Sequence, residues 1–208
     1  DKADNENSTL TRKITLDSLN PSISFAPSNP VNNTNQTSRS LIINVTHAEN
    51  NSDTIILYWN STINETRHYS GSYTNFSLAG LKDGFYNYYV WLNDSASNIN
   101  QTETRVITID NIGPVINLAS PANDSWLNNN TNPALFEYNA TDALLSIANC
   151  SLIINNKANL TNCTIKEEIT QNFTQLFDSG NYNWSINCSD TLNNINASEE
   201  RLLKVDLS

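Results

Sequence analysis

One segment of this chain occurs three times. Asp94–Asp110 reads DSASNINQTETRVITID and Asp1–Asp17 reads DKADNENSTLTRKITLD, identical at 10 of 17 positions without a gap. A third copy, DTLNNINASEERLLKVD, covers Asp190–Asp206. An Asp, two Asn, an Arg and a closing Asp recur at the same offsets in all three. The copies are displaced by 93 and 96 residues, the length of a small β-sandwich domain. Other parts repeat in step. Asp17-Ser-Leu-Asn-Pro21 matches Asp110-Asn-Ile-Gly-Pro114, and Gly84–Asp94 matches Gly180–Asp190. The 208 residues therefore hold two complete units, near 21–110 and 114–206, with the last strand of a third in front.

Each unit reads as β-structure. Tyr182, Trp184, Ile186 and Cys188 alternate with Asn181, Asn183, Ser185 and Asn187, the period-two signature of a strand with one buried and one wet face. Leu41, Ile43 and Val45 alternate in the same way, as do Phe136, Tyr138 and Ala140. Thr54–Asn60 is continuously β-rich, with Ile55, Leu57 and Trp59 as its inward set. Polar turns fall every 8–12 residues, the spacing of a sandwich. The one helix-like stretch, 141–148, is too short to stand as a helix. Strands are expected at 21–27, 40–47, 54–60, a short following strand, 73–79, 84–93 and 102–110. In the second unit they are expected at 114–120, 134–141, 149–155, 160–166, 171–177, 180–189 and 197–206.

The run Gly180-x-Tyr182-x-Trp184-x-Ile186-Asn187-Cys188-x-Asp190-x-x-x-Asn194 is followed by a strand ending in Asp, and in the preceding unit a Pro then opens the next repeat. This pattern resembles the tandem Ig-like, or fibronectin-III-like, repeats of archaeal cell-surface proteins, and is similar to bacterial Ig-like surface repeats. The resemblance covers essentially the whole chain. It implies an all-β fold: two tandem Ig-like β-sandwiches (19–112 and 113–208) preceded by one extra G-type strand (1–18). It also implies an archaeal source and a place in a stalk, a surface layer or an adhesion scaffold. Many such repeats carry Gly in the turn after the F strand, where this chain has Ser97 and Asn193.

Composition bears on the environment. Asn, Ser and Thr number 37, 23 and 20, while charged residues are only 15 %. The net charge of −10, from 11 basic and 21 acidic residues, argues against electrostatic binding of nucleic acid. No apolar run approaches the ~20 residues of a membrane span. Asn-x-Ser/Thr acceptors occur at Asn7, Asn32, Asn35, Asn44, Asn50, Asn60, Asn64, Asn75, Asn93, Asn100, Asn123, Asn129, Asn139, Asn149, Asn159, Asn162, Asn172, Asn183, Asn187 and Asn196. Chance at this composition gives roughly 8 such motifs, against the 20 found. By the alternation, Asn44, Asn139, Asn183 and Asn187 point outward, and so do Asn60 and Asn149. N-linked sugar is therefore the expected modification, keeping a charge-poor surface soluble and blocking strand edges by bulk.

Three cysteines lie in the second unit. In an Ig-like sandwich strands C and F are antiparallel neighbours, so Cys150 at the start of C meets Cys188 at the end of F. Cys163 competes: a two-residue turn at Asn156-Lys157 would set it opposite Cys150 instead. With His47 and His68 in the other unit, zinc lacks a ligand set. Asp1/Asn5, Asp94/Asn98 and Asp190/Asn194 follow each F strand and read first as Asx turns. A calcium site shared with Asp17 or Asp110 is the second reading, without a dense carboxylate cluster visible around them in sequence. Arg12, Arg105 and Arg201 share one offset and read as structural, pairing a carboxylate or covering an apolar edge. Among the tryptophans Trp59 and Trp184 point inward, Trp126 has no assigned face, and Trp91 is the expected exposed aromatic.

No catalytic set emerges, because neither His lies near a nucleophile in the repeat. Lys166-Glu167-Glu168 and Glu199-Glu200 read as solvated positions. No cofactor is expected beyond N-linked glycans. Residues 1–17 are a G strand without a sandwich. They belong either to a preceding repeat of a longer array, the favoured reading, or to a strand donated to another subunit. The expected partners are copies of the chain or further Ig-like repeats. The expected role is a non-enzymatic extracellular structural protein, with an adhesin or carbohydrate-binding module as the alternative.

Overall fold

The computed structural model describes residues 9–12, 16–128, 131 and 133–208. Among these it holds eighteen β-strands and no helix, arranged as two sandwich-like domains of tandem Ig-like type. In the first, one sheet has the order β1 (Ser22–Phe25), β3 (Ser40–Ala48), β6 (Tyr73–Ala79). The other has the order β2 (Thr34–Gln36), β9 (Arg105–Ile109), β7 (Gly84–Asp94), β4 (Ser52–Trp59), β5 (Thr62–His68), with β8 (Ile99–Gln101) also on β7. The second domain repeats this plan. One sheet is β10 (Val115–Ser120), β12 (Ala134–Thr141), β15 (Gln171–Gln175). Its companion is β11 (Ser125–Leu127), β18 (Arg201–Val205), β16 (Gly180–Asp190), β13 (Ile147–Ile154), β14 (Lys157–Asn162), with β17 (Ile195–Ala197) on β16. By proximity alone the residues group differently, into one compact unit of 1–30, 42–77 and 87–105 and another of 31–41, 78–86 and 106–208.

Alternation selects the core. Leu41, Ile43 and Val45 on β3 are buried, and His47 extends their row. Ile55 and Leu57 on β4 lie opposite Leu92 and Val90 of β7, and all four are fully buried. In the second domain Phe136, Tyr138, Ala140, Trp184, Ile186 and Leu152 form one cluster, with the Phe136 ring edge-on to Trp184 at 4.8 Å. Burying each large side chain contributes about 1.5–3 kcal/mol.

Four features depart from the expected strands. The G strand is split into β8 and β9, and into β17 and β18. At the break, Thr102 Oγ1 accepts the Val90 N–H at 3.0 Å and Ser198 Oγ accepts that of Ile186 at 3.0 Å, replacing a ladder bond. The short strands β2 and β11 are additions, each running parallel to the adjoining G segment. The strand after β4, expected to be short, is the seven-residue β5. Of the expected strand at 1–17, residues 1–8 and 13–15 lie outside the described residues, and 9–12, 16 and 17 are not in a strand.

Candidate functional site

Cys150 and Cys188 face each other in the β13–β16 register and are joined by a disulfide. The competing pairing fails on the turn. Asn155 and Asn156, both at positive φ (48° and 63°), form the hairpin loop and pair Ile154 with Lys157, and a bulge between Leu152 and Ile153 then sets Cys150 opposite Asn162. Cys163 is free and exposed.

Two of the three recurrent arginines, Arg105 and Arg201, make structural contacts. Arg105 donates to the Pro30 carbonyl at 2.7 Å, pairs with Glu103 and lies 4.3 Å over the Phe25 ring. Arg201 repeats this with the carbonyls of Pro121 and Leu118, with Glu199 and with the Trp184 face. Arg12 is exposed. The tryptophans need correction. Trp91 is only half-exposed, since it lies between β4 and β8 opposite Ile56 and Gln101. Trp126, on the outer strand β11, is the exposed one at 68 %, with the Lys204 ammonium 5.4 Å from its ring.

Among the sequon asparagines, Asn7 and Asn129 lie outside the described residues. None of the other eighteen is buried. Asn32, Asn35, Asn50, Asn60, Asn64, Asn75, Asn100, Asn123, Asn159, Asn172, Asn183 and Asn196 are exposed; Asn44, Asn93, Asn139, Asn149, Asn162 and Asn187 are half-buried. The outward expectation for Asn44, Asn139, Asn149 and Asn187 thus meets partial cover by neighbours. Several acceptor amides already donate within the fold: Asn44 to Ser28, Asn93 to Asp53, Asn100 to the Pro21 carbonyl and Asn149 to Ser189.

The aspartates after each F strand form the turns read from the sequence. Asp94 Oδ1 accepts the N–H groups of Ala96 (2.9 Å) and Asn98 (2.8 Å), and Oδ2 accepts from Asn98 Nδ2 (2.7 Å). Asp190 does the same with Leu192 and Asn194. Each Asn also reaches back to the linker, Asn98 to the carbonyl of Asp17 and Asn194 to that of Asp110. Burial works against the ionised Asp94, but the bonds from Asn98, Ala96 and Ser97 together outweigh it and hold the carboxyl below its usual range.

The sequence showed no dense carboxylate cluster here, and the fold supplies one in each repeat. Glu49 and Asp142, just past β3 and β12, complete the triplets Asp17/Glu49/Asp94 and Asp110/Asp142/Asp190. In each triplet, one oxygen from every residue lies within 4.8 Å of the others. The signal that would have found them is their common offset of 93 residues, the same as that of Asp17 and Asp110.

The two triplets differ in how they are satisfied. Asp17 Oδ1 accepts from the Leu19 N–H and its Oδ2 from Asn51 Nδ2 at 2.9 Å. Asp110 is 1 % exposed; its Oδ1 accepts from the Ile112 N–H at 3.1 Å, while its Oδ2 has no partner. Burial raises the Asp110 pKa against the Ile112 bond, and the charges of Asp142, Asp190 and Asp83 raise it further. The linker here is tightly held, since a Cβ on Gly113 would come within 2.7 Å of the Ile195 backbone.

No protein-family model matches the chain, and no curated protein does. Solved structures similar to it include the fibronectin(III)-like modules of Clostridium thermocellum CbhA. These align with a TM-score of 0.41 and 14 % identity over 90 % of this chain and 94 % of that one. A three-domain segment of titin aligns with a TM-score of 0.48 and 11 % identity, over 90 % and 67 %. A bacterial ice-binding adhesin of 1.5 MDa gives 0.45 and 15 %, over 93 % and 67 %.

Proposed function

We propose that this chain is a non-enzymatic, N-glycosylated extracellular scaffold, a segment of a surface stalk, surface layer or filament assembled from tandem Ig-like repeats. The observation that carries the reading is the placement of the sequons. They exceed chance more than twofold, and none of the eighteen described acceptors is buried. The disulfide supports an oxidising compartment. No helix among the described residues is long and apolar enough to cross a membrane.

An adhesin or carbohydrate-binding role is the second reading. It is favoured by Tyr58 and Tyr89, which stack at 4.6 Å on the outer face of β4 and β7 beside the half-exposed Trp91. Sugar rings pack on aromatic faces of this kind.

Glycopeptide mass spectrometry of native material tests the first reading. Asn64, Asn75, Asn159 and Asn172 are expected to carry glycan, and Asn93 and Asn149, whose amides donate internally, to be largely bare. Unmodified asparagine at all four exposed sites would remove the glycoprotein reading. Electron microscopy of the same material should show ordered lateral contacts, and isolated monomers would remove the layer and filament roles.

A further inference from the structure

We propose that Asp110, Asp142 and Asp190 hold one calcium ion between the linker and the turns of the second domain. All three residues belong to the same compact unit. The argument begins with an imbalance. Three carboxylates have oxygens within 4.8 Å of one another, and two of the three residues, Asp110 and Asp190, are almost completely buried. Like charges brought together away from water repel strongly. Among the described residues no cationic side chain pairs with any of them. Nearby charge is of the same sign: Glu167 accepts the N–H groups of Asp142 and Ile147, and Asp83, itself paired with Arg39, adds to the field at Asp110.

The repeat supplies an internal control. In the first triplet the oxygen equivalent to the unpartnered Asp110 Oδ2 is closed by the Asn51 amide. Asn51 is also the residue whose carbonyl accepts the Ser95 N–H; in the second domain that bond runs from Thr191 to Ser146. Ser146 thus stands where Asn51 stands, and it gives Asp110 no hydrogen bond. A buried carboxylate oxygen left open costs free energy unless something binds it. At the first triplet an amide fills that position. At the second, the buried Asp110 carboxylate keeps Oδ2 unpartnered and has two more carboxylates gathered beside it, which is a demand for a cation rather than for a hydrogen-bond donor.

The donors select the ion. All are carboxylate oxygens, with no sulfur or imidazole, so the site is hard. Two oxygens on one ion can lie apart by at most twice the metal–oxygen distance, about 4.8 Å for calcium at about 2.4 Å, and the pairwise spacings here stay within that limit; magnesium demands about 2.1 Å and near-ideal octahedral geometry. Water completes the six to eight ligands. A site of three carboxylates in an extracellular module is expected to bind calcium with a Kd of roughly 0.1–1 mM.

Isothermal titration of the chelator-treated, unglycosylated 208-residue chain with CaCl2, and separately with MgCl2, tests this. One calcium per chain is expected, with weaker magnesium binding. Asp110→Asn and Asp142→Asn should each weaken calcium at least tenfold, while Asp17→Asn should leave it unchanged. Circular dichroism establishes that each variant is folded. As a readout independent of the variants, 10 mM calcium should raise the folding equilibrium constant of the wild-type chain about tenfold or more. The proposal falls if calcium neither binds nor stabilises at 10 mM. It falls if binding survives Asp110→Asn, or is lost in Asp17→Asn alone. It also falls if Asp110→Asn stabilises the chelator-treated chain while calcium has no effect, which would mean that the open oxygen carries a proton.

Discussion

His47 continues the inward row of β3 and is only 4 % exposed. Its Nε2 is 2.9 Å from Thr74 Oγ1, its ring stands edge-on to Tyr69 at 4.8 Å, and its Nδ1 has no partner. Burial lowers its pKa. Tyr69 beside it stays neutral, its hydroxyl pushed up to about 12 by burial and by the charges of Glu49, Asp94 and Asp53. A base whose folded-state pKa is depressed favours the folded state while it is neutral. The unfolded chain takes up the proton first as pH falls, so stability is full above about pH 6.5 and declines below it. The loss should be at most about 1.4 kcal/mol per pH unit, and urea unfolding at pH 7.5 and 5 should show it. His47→Ala, which copies the equivalent Ala140, should flatten that dependence. The alternation of β3 makes the burial of this residue legible. The contacts with Thr74 and Tyr69 are not, because they arise from pairing between strands more than twenty residues apart.

The F–G turn shows how far an element can be read. The sequence shows that Ser97 and Asn193 stand where similar repeats place Gly; it does not show what backbone they adopt. Both take positive φ, 69° and 63°. The Asp anchors this geometry by binding two following N–H groups, as in the first domain with Ala96 and Asn98. A left-handed backbone costs an ordinary residue about 1–2 kcal/mol, and less for Asn. Ser97→Gly is therefore expected to stabilise the first domain by about 0.5–1 kcal/mol after the entropy cost of Gly. Asn193→Gly should change stability by only a few tenths. Denaturant midpoints of the two variants compare them directly, and equal effects would mean that the turn is not under strain. The disulfide was half-legible for the same reason. Strand adjacency offered Cys188, but only the Asn155–Asn156 loop and the bulge between Leu152 and Ile153 decide the register that removes Cys163. The carboxylate triplets were illegible as clusters, because each gathers a linker residue, a residue just past β3 or β12 and the last residue of β7 or β16.

At the scale of the whole molecule, the sequons fall on the strands most in need of cover. Each of the four sheets ends in two edge strands, and five of those eight carry a sequon asparagine that is exposed: Asn35 on β2, Asn64 on β5, Asn75 on β6, Asn159 on β14 and Asn172 on β15. Asn123 lies two residues before a sixth, β11. Exposed edges are templates for pairing with another chain, and proteins commonly blunt them with charge, Pro or bulges. With only 15 % charged residues this chain has little charge to use, and a sugar on the edge would supply the bulk instead. The position of the glycans should therefore matter more than their number. Thr or Ser to Ala changes that remove the five edge sequons are expected to leave the fold intact but to increase aggregation of the secreted protein on mild heating. Removing five sequons away from the edges, at Asn44, Asn50, Asn139, Asn183 and Asn187, should have much less effect. Light scattering with a cross-β dye separates the two sets. Equal aggregation in both would mean that the sugars act by general solubility, and that the edges are protected by their twist and shortness alone.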